Sequence, residues 1–195
     1  MLCRTTRCIA SLTVLLCMFV TSQPAVVLGG TSIWTSTGPE GGFITALAID
    51  SATPTTLYAG TRATGVHKST DGGVSWLATG LTNKYVDALA IDPATPTTLY
   101  AGTCGGGAFK STDGGGAWRA INTGLTNSCV RALAIDPATA TWPSAGTDEQ
   151  FFKSTDGGVH WHYTGLPVNA VRAVAVDPTT PTTLYVGTRD DGVFK

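Results

Sequence analysis

Charge is what this sequence has least of. Asp, Glu, Lys and Arg together make up 13% of its 195 residues, about half the share usual in a soluble domain. The signs nearly balance, 12 basic against 13 acidic, so the basic excess that marks a nucleic-acid binder is missing. Long apolar runs are equally scarce. The one from Ile9 to Val20 is short for a bilayer crossing, and Gln23 and Pro24 interrupt any extension of it, which argues against a stable membrane span in the mature chain. Glutamate occurs only at Glu40 and Glu149, and there are three histidines. Little material is left for a metal centre built on histidine.

What is present begins with Arg4 and Arg7, then the apolar run, then the small and polar residues TSQPA. That order is the pattern of an export leader. Residues 1–29 read as a signal peptide, with cleavage after Ser22, Ala25 or Gly29, and residues 30–195 as a secreted, periplasmic or extracellular chain. Losing Arg4 and Arg7 leaves 10 basic against 13 acidic residues, a net charge near −3. The leader also takes Cys3, Cys8 and Cys17. Cys104 and Cys129 then remain in an oxidising compartment as candidates for a disulfide.

Self-similarity dominates the rest. STDGGVSW at 69–76 returns as STDGGGAW at 111–118 and STDGGVHW at 154–161, at intervals of 42 and 43 residues. ALAID at 46, 88 and 132 and AVAVD at 173 keep step, as do TTLYAGT at 55 and 97 and TTLYVGT at 182. A period of this length means stacked supersecondary units. Within a unit, Leu47 and Ile49 alternate with Ala46 and Ala48, the two-residue period of a strand. A turn rich in Asp and Pro leads to the β-prone LYAGT, then to GVHK, GAFK or GVFK, then to the residues after each Trp. Four repeats result, over about 43–83, 85–126, 129–166 and 170–195. The fold class expected is all-β, a β-propeller of four-stranded antiparallel blades. Trp34 opens WTSTG, which matches WLATG at 76 and WHYTG at 161, so residues 33–37 are expected to supply the fourth strand of the last blade and close a four-bladed ring. The third repeat departs from the pattern: TWPSAGT at 141–147 replaces Leu and Tyr by Pro143 and Ser144, which is expected to weaken that strand.

The motif S-T-D-G-G-x-x-W resembles the Asp-box, or bacterial neuraminidase repeat, over nearly the whole mature chain. The resemblance implies a propeller in which Asp71, Asp113 and Asp156 accept backbone N–H bonds within a turn while Trp76, Trp118 and Trp161 pack between blades. Asp-box propellers include sialidases, xyloglucan-cleaving hydrolases, sortilin-type receptor ectodomains and photosystem II assembly factors. The repeat alone does not choose among them.

Function is therefore sought where the repeats differ. Antiparallel strands put the second-to-third-strand loops and the blade links at one end. Thr45, Asp87, Arg131 and Arg172 begin equivalent strands there, and the loops add Arg62, Cys104, Asp148, Glu149, Arg189, Asp190 and Asp191. Arg62, Asp87, Arg131, Arg172, Arg189 and Asp190 are the candidate binding residues, since arginines suit a carboxylate or sugar-like ligand. The expected function is a non-catalytic binding or assembly scaffold for an exported protein or a glycan. No cofactor is called for. Metal binding is not expected either, because His160 and His162 share a strand face without an evident third ligand and His67 takes the slot of Phe109, Phe152 and Phe194. A glycoside hydrolase is the alternative, sialidase-like or xyloglucanase-like. A sialidase would need three arginines, a Tyr–Glu pair and an acid/base Asp; a two-carboxylate enzyme would use Asp87 with Asp190 or Asp191. The chain as part of a larger propeller is a third reading, and it predicts an unpaired edge and self-association.

Overall fold

The computed structural model describes residues 26–29, 32–39, 42–82, 84–137, 139 and 143–195. The leader expected over 1–29 lies outside them up to residue 25. Among the described residues no helix is long and apolar enough to cross a membrane. The chain divides into residues 1–36 and 37–195. In the first unit, β1 (Val26–Gly29) and β2 (Ser32–Thr35) form an antiparallel hairpin.

The second unit is all strand. The ALAID segments form the first strands, β3 (Ile44–Ile49), β7 (Tyr85–Ile91), β11 (Val130–Ile135) and β15 (Val171–Val176). Each pairs antiparallel with an LYAGT-type strand: β4 (Leu57–Thr61), β8 (Leu99–Cys104), β12 (Pro143–Thr147) and β16 (Leu184–Thr188). Third strands follow as β5 (Val66–Ser69), β9 (Gly107–Ser111), β13 (Phe151–Lys153) and β17 (Val193–Phe194). Fourth strands are β6 (Leu77–Ala78), β10 (Arg119–Ala120) and β14 (His162–Tyr163). Three sheets thus have four strands and the last has three. The first strands of successive sheets pack side by side, the arrangement of propeller blades.

The turns explain how one sheet holds the next. In the first STDGG turn the Ser69 hydroxyl donates to Asp71 Oδ1 at 2.7 Å, and the Ser75 amide donates to the same oxygen at 2.9 Å. Gly72 and Gly73 lie at φ of 75° and 91°, where a Cβ would be strained. The turn thereby points a glycine carbonyl backward. Tyr58 Oη and Lys68 Nζ of the first sheet donate to the Gly114 carbonyl of the second at 3.1 and 3.2 Å. Tyr100 Oη and Lys110 Nζ of the second donate to the Gly157 carbonyl of the third at 3.2 and 3.0 Å. Burial pushes the Tyr100 phenol up to about 12, so it remains a donor at neutral pH.

Apolar packing reinforces each junction. A Cβ at Gly60 would come within 2.7 Å of Val86 Cγ1, and Gly102 and Gly146 are covered in the same way by Val130 and Val171. Those three valines are fully buried. Trp161 closes the second junction, its indole N–H donating to the Ile121 carbonyl at 2.7 Å.

One sequence expectation, a weakened strand at 143–147, needs revision. Ser32–Thr35 pairs with Val26–Gly29 in the first unit, and among the described residues the last sheet has three strands. A hairpin whose strands are two residues apart closes at far smaller entropic cost than a pairing across most of the chain. Thr37 lies against Gly73 as Thr79 lies against Gly115, in keeping with its place in the repeat. Leu47 and Ile49 of the first sheet stay exposed where Leu89 and Ile91 pack on a neighbour. Finally, β12 is a regular strand paired on both sides. Pro143 sits at its first position, where a missing N–H is tolerated.

Trp161→Ala is expected to lower the unfolding free energy by about 3–5 kcal/mol in urea. Trp76→Ala should cost less than half as much, because its indole N–H reaches only Gly73 of its own turn.

Candidate functional site

Backbone irregularity marks the site. Each first strand skips one residue in its pairing with the second: between Ile44 and Ala46, Val86 and Ala88, Val130 and Ala132, and Val171 and Ala173. The residues left out are Thr45, Asp87, Arg131 and Arg172. These are the four that differ at equivalent repeat positions. A β-bulge frees a side chain from the ladder's alternation and re-aims it, so every repeat presents one variable side chain from a fixed mount.

Three of them form one ionic chain. The Arg131 guanidinium binds Asp148 through Nε and Nη2, both at 2.9 Å, and reaches Asp87 Oδ2 through Nη1 at 2.9 Å. Arg172 Nη1 donates to Asp148 Oδ1 at 3.2 Å. Thr45 instead caps the neighbouring backbone, donating to the Val86 and Gly60 carbonyls. The bidentate hydrogen bonds from Arg131 hold the Asp148 carboxyl below its ordinary value, with Arg172 adding to the effect, and Asp148 in turn raises Arg131. Two planar groups in fork geometry fix the Arg131–Asp148 pair in orientation as well as distance.

Beside it lies an open cavity of about 230 Å³ lined by Arg62, Tyr85, Asp87, Cys104 and Arg131. Cys104 and Cys129 are joined in a disulfide across adjacent sheets. It cross-links the last residue of β8 to the residue just before β11, the strand that carries Arg131, and a closed loop of this size stabilises by roughly 3 kcal/mol. Other predicted residues lie apart: Arg189 Nε pairs with Asp190 Oδ2 at 2.9 Å, both largely exposed, and the Asp191 amide donates to Thr188 within its own turn. The structure therefore unites Arg62, Asp87, Arg131 and Arg172, with Asp148, and leaves Arg189, Asp190 and Asp191 as a separate exposed turn. His160 Nδ1 lies 2.7 Å from Asp156 Oδ2, and among the described residues no cluster of three metal-ligating side chains occurs.

Sequence reasoning missed Tyr85, which is 56% exposed at the cavity. Its slot is held by Phe43, Cys129 and Ala170 in the other repeats, and Phe43 is exposed as well. An aromatic one residue before the bulge was the available signal.

Because the folded-state carboxyl of Asp148 is depressed, it stabilises the protein above its ordinary value near 3.8. That contribution is lost as pH falls through the lower folded value. Thermal unfolding between pH 7 and pH 2 should show Asp148→Asn about 1 kcal/mol less stable at neutral pH, with the gap to the parent closing at the acid end.

No family model matches the chain, and no curated protein matches it. Among solved structures the chain is similar to an ancestral GH74 enzyme, at 25% identity and a TM-score of 0.70, over 83% of this chain and 24% of that one. It is also similar to a GH74 xyloglucanase from Xanthomonas campestris, at 20% identity and a TM-score of 0.59, over 78% of this chain and 29% of that one. The extracellular domain of a putative hybrid two-component system from B. thetaiotaomicron matches at 18% identity and a TM-score of 0.61, over 86% of this chain and 21% of that one. The chain thus spans about a quarter of the length of these proteins, and it shares their propeller-like all-β fold.

Proposed function

We propose that this chain is an exported, non-catalytic binding module of the Asp-box propeller type, and that its ligand is a glycan. The observation that carries this reading is the pre-set polar chain Asp87–Arg131–Asp148–Arg172 beside the exposed ring of Tyr85. Sugars are recognised by an aromatic face for their apolar C–H side and by fixed donors and acceptors for their hydroxyls. Arg62 adds a cation at the cavity, and the Arg189–Asp190 turn is a further polar edge.

Catalysis fits less well. Both carboxyls of a hydrolase face the scissile bond, whereas Asp87 is paired with Arg131 and Asp190 with Arg189. The Asp148 carboxyl is held below its ordinary value by Arg131, opposite to what a general acid needs. The likeness to GH74 enzymes supports the hydrolase reading as the second one, with Asp87 and Asp190 or Asp191 as its carboxylates.

Isothermal calorimetry against soluble xyloglucan and sialylated oligosaccharides, with a reducing-end assay on the same mixtures, separates the two. Binding weakened at least about tenfold by Tyr85→Ala, with no new reducing ends, is the expected result. Release of reducing ends that disappears in Asp87→Asn would establish the hydrolase instead. If neither glycan binds, the glycan reading fails.

A further inference from the structure

The charges around the cavity sort into a neutral group and one uncompensated cation. Asp87, Arg131, Asp148 and Arg172 supply two carboxylates and two guanidiniums, each within salt-bridge distance of another, so together they carry no net charge. Arg189 is neutralised by its neighbour Asp190. Arg62 differs from all of these. Its side chain is exposed and has no carboxylate or hydrogen-bond partner among the described residues, while its amide donates to the Phe43 carbonyl at 3.1 Å and fixes the backbone at the rim. The cavity is therefore lined by one guanidinium whose donors are all free.

The repeat explains why the space beside Arg62 is open. Arg62 and Tyr85 take the slots that Cys104 and Cys129 take at the next junction, where the disulfide bridges the two sheets. At the third junction the same slots hold Asp148 and Ala170, and the Ala170 amide donates to the Asp148 carbonyl at 2.8 Å. Of these three junctions only the first places a cation and an aromatic ring there, and the cavity of about 230 Å³ lies beside them. Asp87 adds an acceptor. Its Oδ2 is held by Arg131 Nη1 at 2.9 Å, and its Oδ1 accepts no hydrogen bond among the described residues.

Three kinds of contact thus meet at one small volume. A free guanidinium selects a carboxylate by its fork geometry, an aromatic face takes the apolar side of a sugar ring, and a carboxylate oxygen accepts from ring hydroxyls. The volume is below the roughly 300–1,000 Å³ of pockets for drug-sized ligands, so it suits a single ring. Granted the glycan reading of this cavity, on which the assignment rests, we propose that the ligand is acidic: the cavity binds one carboxylate-bearing sugar ring, its carboxylate on Arg62, its apolar side on Tyr85 and a hydroxyl on Asp87 Oδ1.

Isothermal calorimetry on the purified full chain tests this with sialyllactose and trigalacturonate, each against the methyl ester of the same sugar, and with neutral xyloglucan oligosaccharides. Both acids should bind, each at least about tenfold tighter than its ester, the worth of one charge-assisted pair; the tighter of the two names the source of the carboxylate. The preference should shrink at high salt. Arg62→Gln should bring each acid down to the affinity of its ester, whereas Arg62→Lys, which keeps the charge without the fork, should retain part of the preference. Circular dichroism melting of both variants should match the parent, since the Arg62 side chain is exposed and unpaired. Equal binding of acid and ester, xyloglucan bound more tightly than either acid, or a preference that survives Arg62→Gln would overturn the assignment and leave the glycan reading standing. If none of these sugars binds, the glycan reading falls and the assignment falls with it.

Discussion

The junctions from the first sheet to the second and from the second to the third rest on one small contact, a glycine carbonyl of one turn held by the phenol and the ammonium of the sheet before it. Sheets of four short strands cannot bury both faces alone, so their stability is shared across junctions. The apolar clusters supply most of the area: Tyr58, Val66 and Leu81 pack with Val86, Leu99 and Ala101. They are non-directional, however, and do not fix how far one sheet slides on the next. Two hydrogen bonds on a single oxygen do. The carbonyl is aimed by the positive φ of the paired glycines and by an Asp that folds the turn, which is why a motif so far from the variable surface recurs in register.

That division of labour leaves the opposite end of the strands free to vary. The bulge at each first strand removes one side chain from the ladder without disturbing the glycine–valine packing beside it. Thr45, Asp87, Arg131 and Arg172 are consequently different in chemistry but identical in mounting. The Cys104–Cys129 disulfide and the Arg131–Asp87 and Arg172–Asp148 pairs then tie adjacent mounts together. A rigid frame with exchangeable side chains suits recognition, where the cost of ordering the site is met by the scaffold before the ligand arrives.

The repeat made much of the fold legible in the sequence, because Leu47–Ile49 alternation, turn chemistry and the 42- to 43-residue interval agree on the same strands. What stayed hidden were the choices between equally good local partners. Ser32–Thr35 has the sequence of a fourth strand yet pairs with Val26–Gly29, a neighbour that repeat phasing ignores. Of the site, Asp87, Arg131 and Arg172 stood out by breaking the repeat, whereas Tyr85 did not, since an aromatic at a strand start looks like packing until its exposure is known. The Ser144 slot shows the limit of pattern. It was visible as a missing Tyr, but only the structure shows its hydroxyl buried without a hydrogen-bond partner among the described residues, at a junction that lacks the phenol of the clamp.

The most direct test is the urea unfolding of Tyr100→Phe combined with Lys110→Met, which removes both donors to the Gly157 carbonyl while keeping the packed bulk. If this clamp sets the junction, the double variant should lose at least about 2 kcal/mol, with a broadened transition as the sheets unfold less cooperatively. An unchanged midpoint and slope would contradict it, and would leave apolar burial alone as the force that holds the sheets in register.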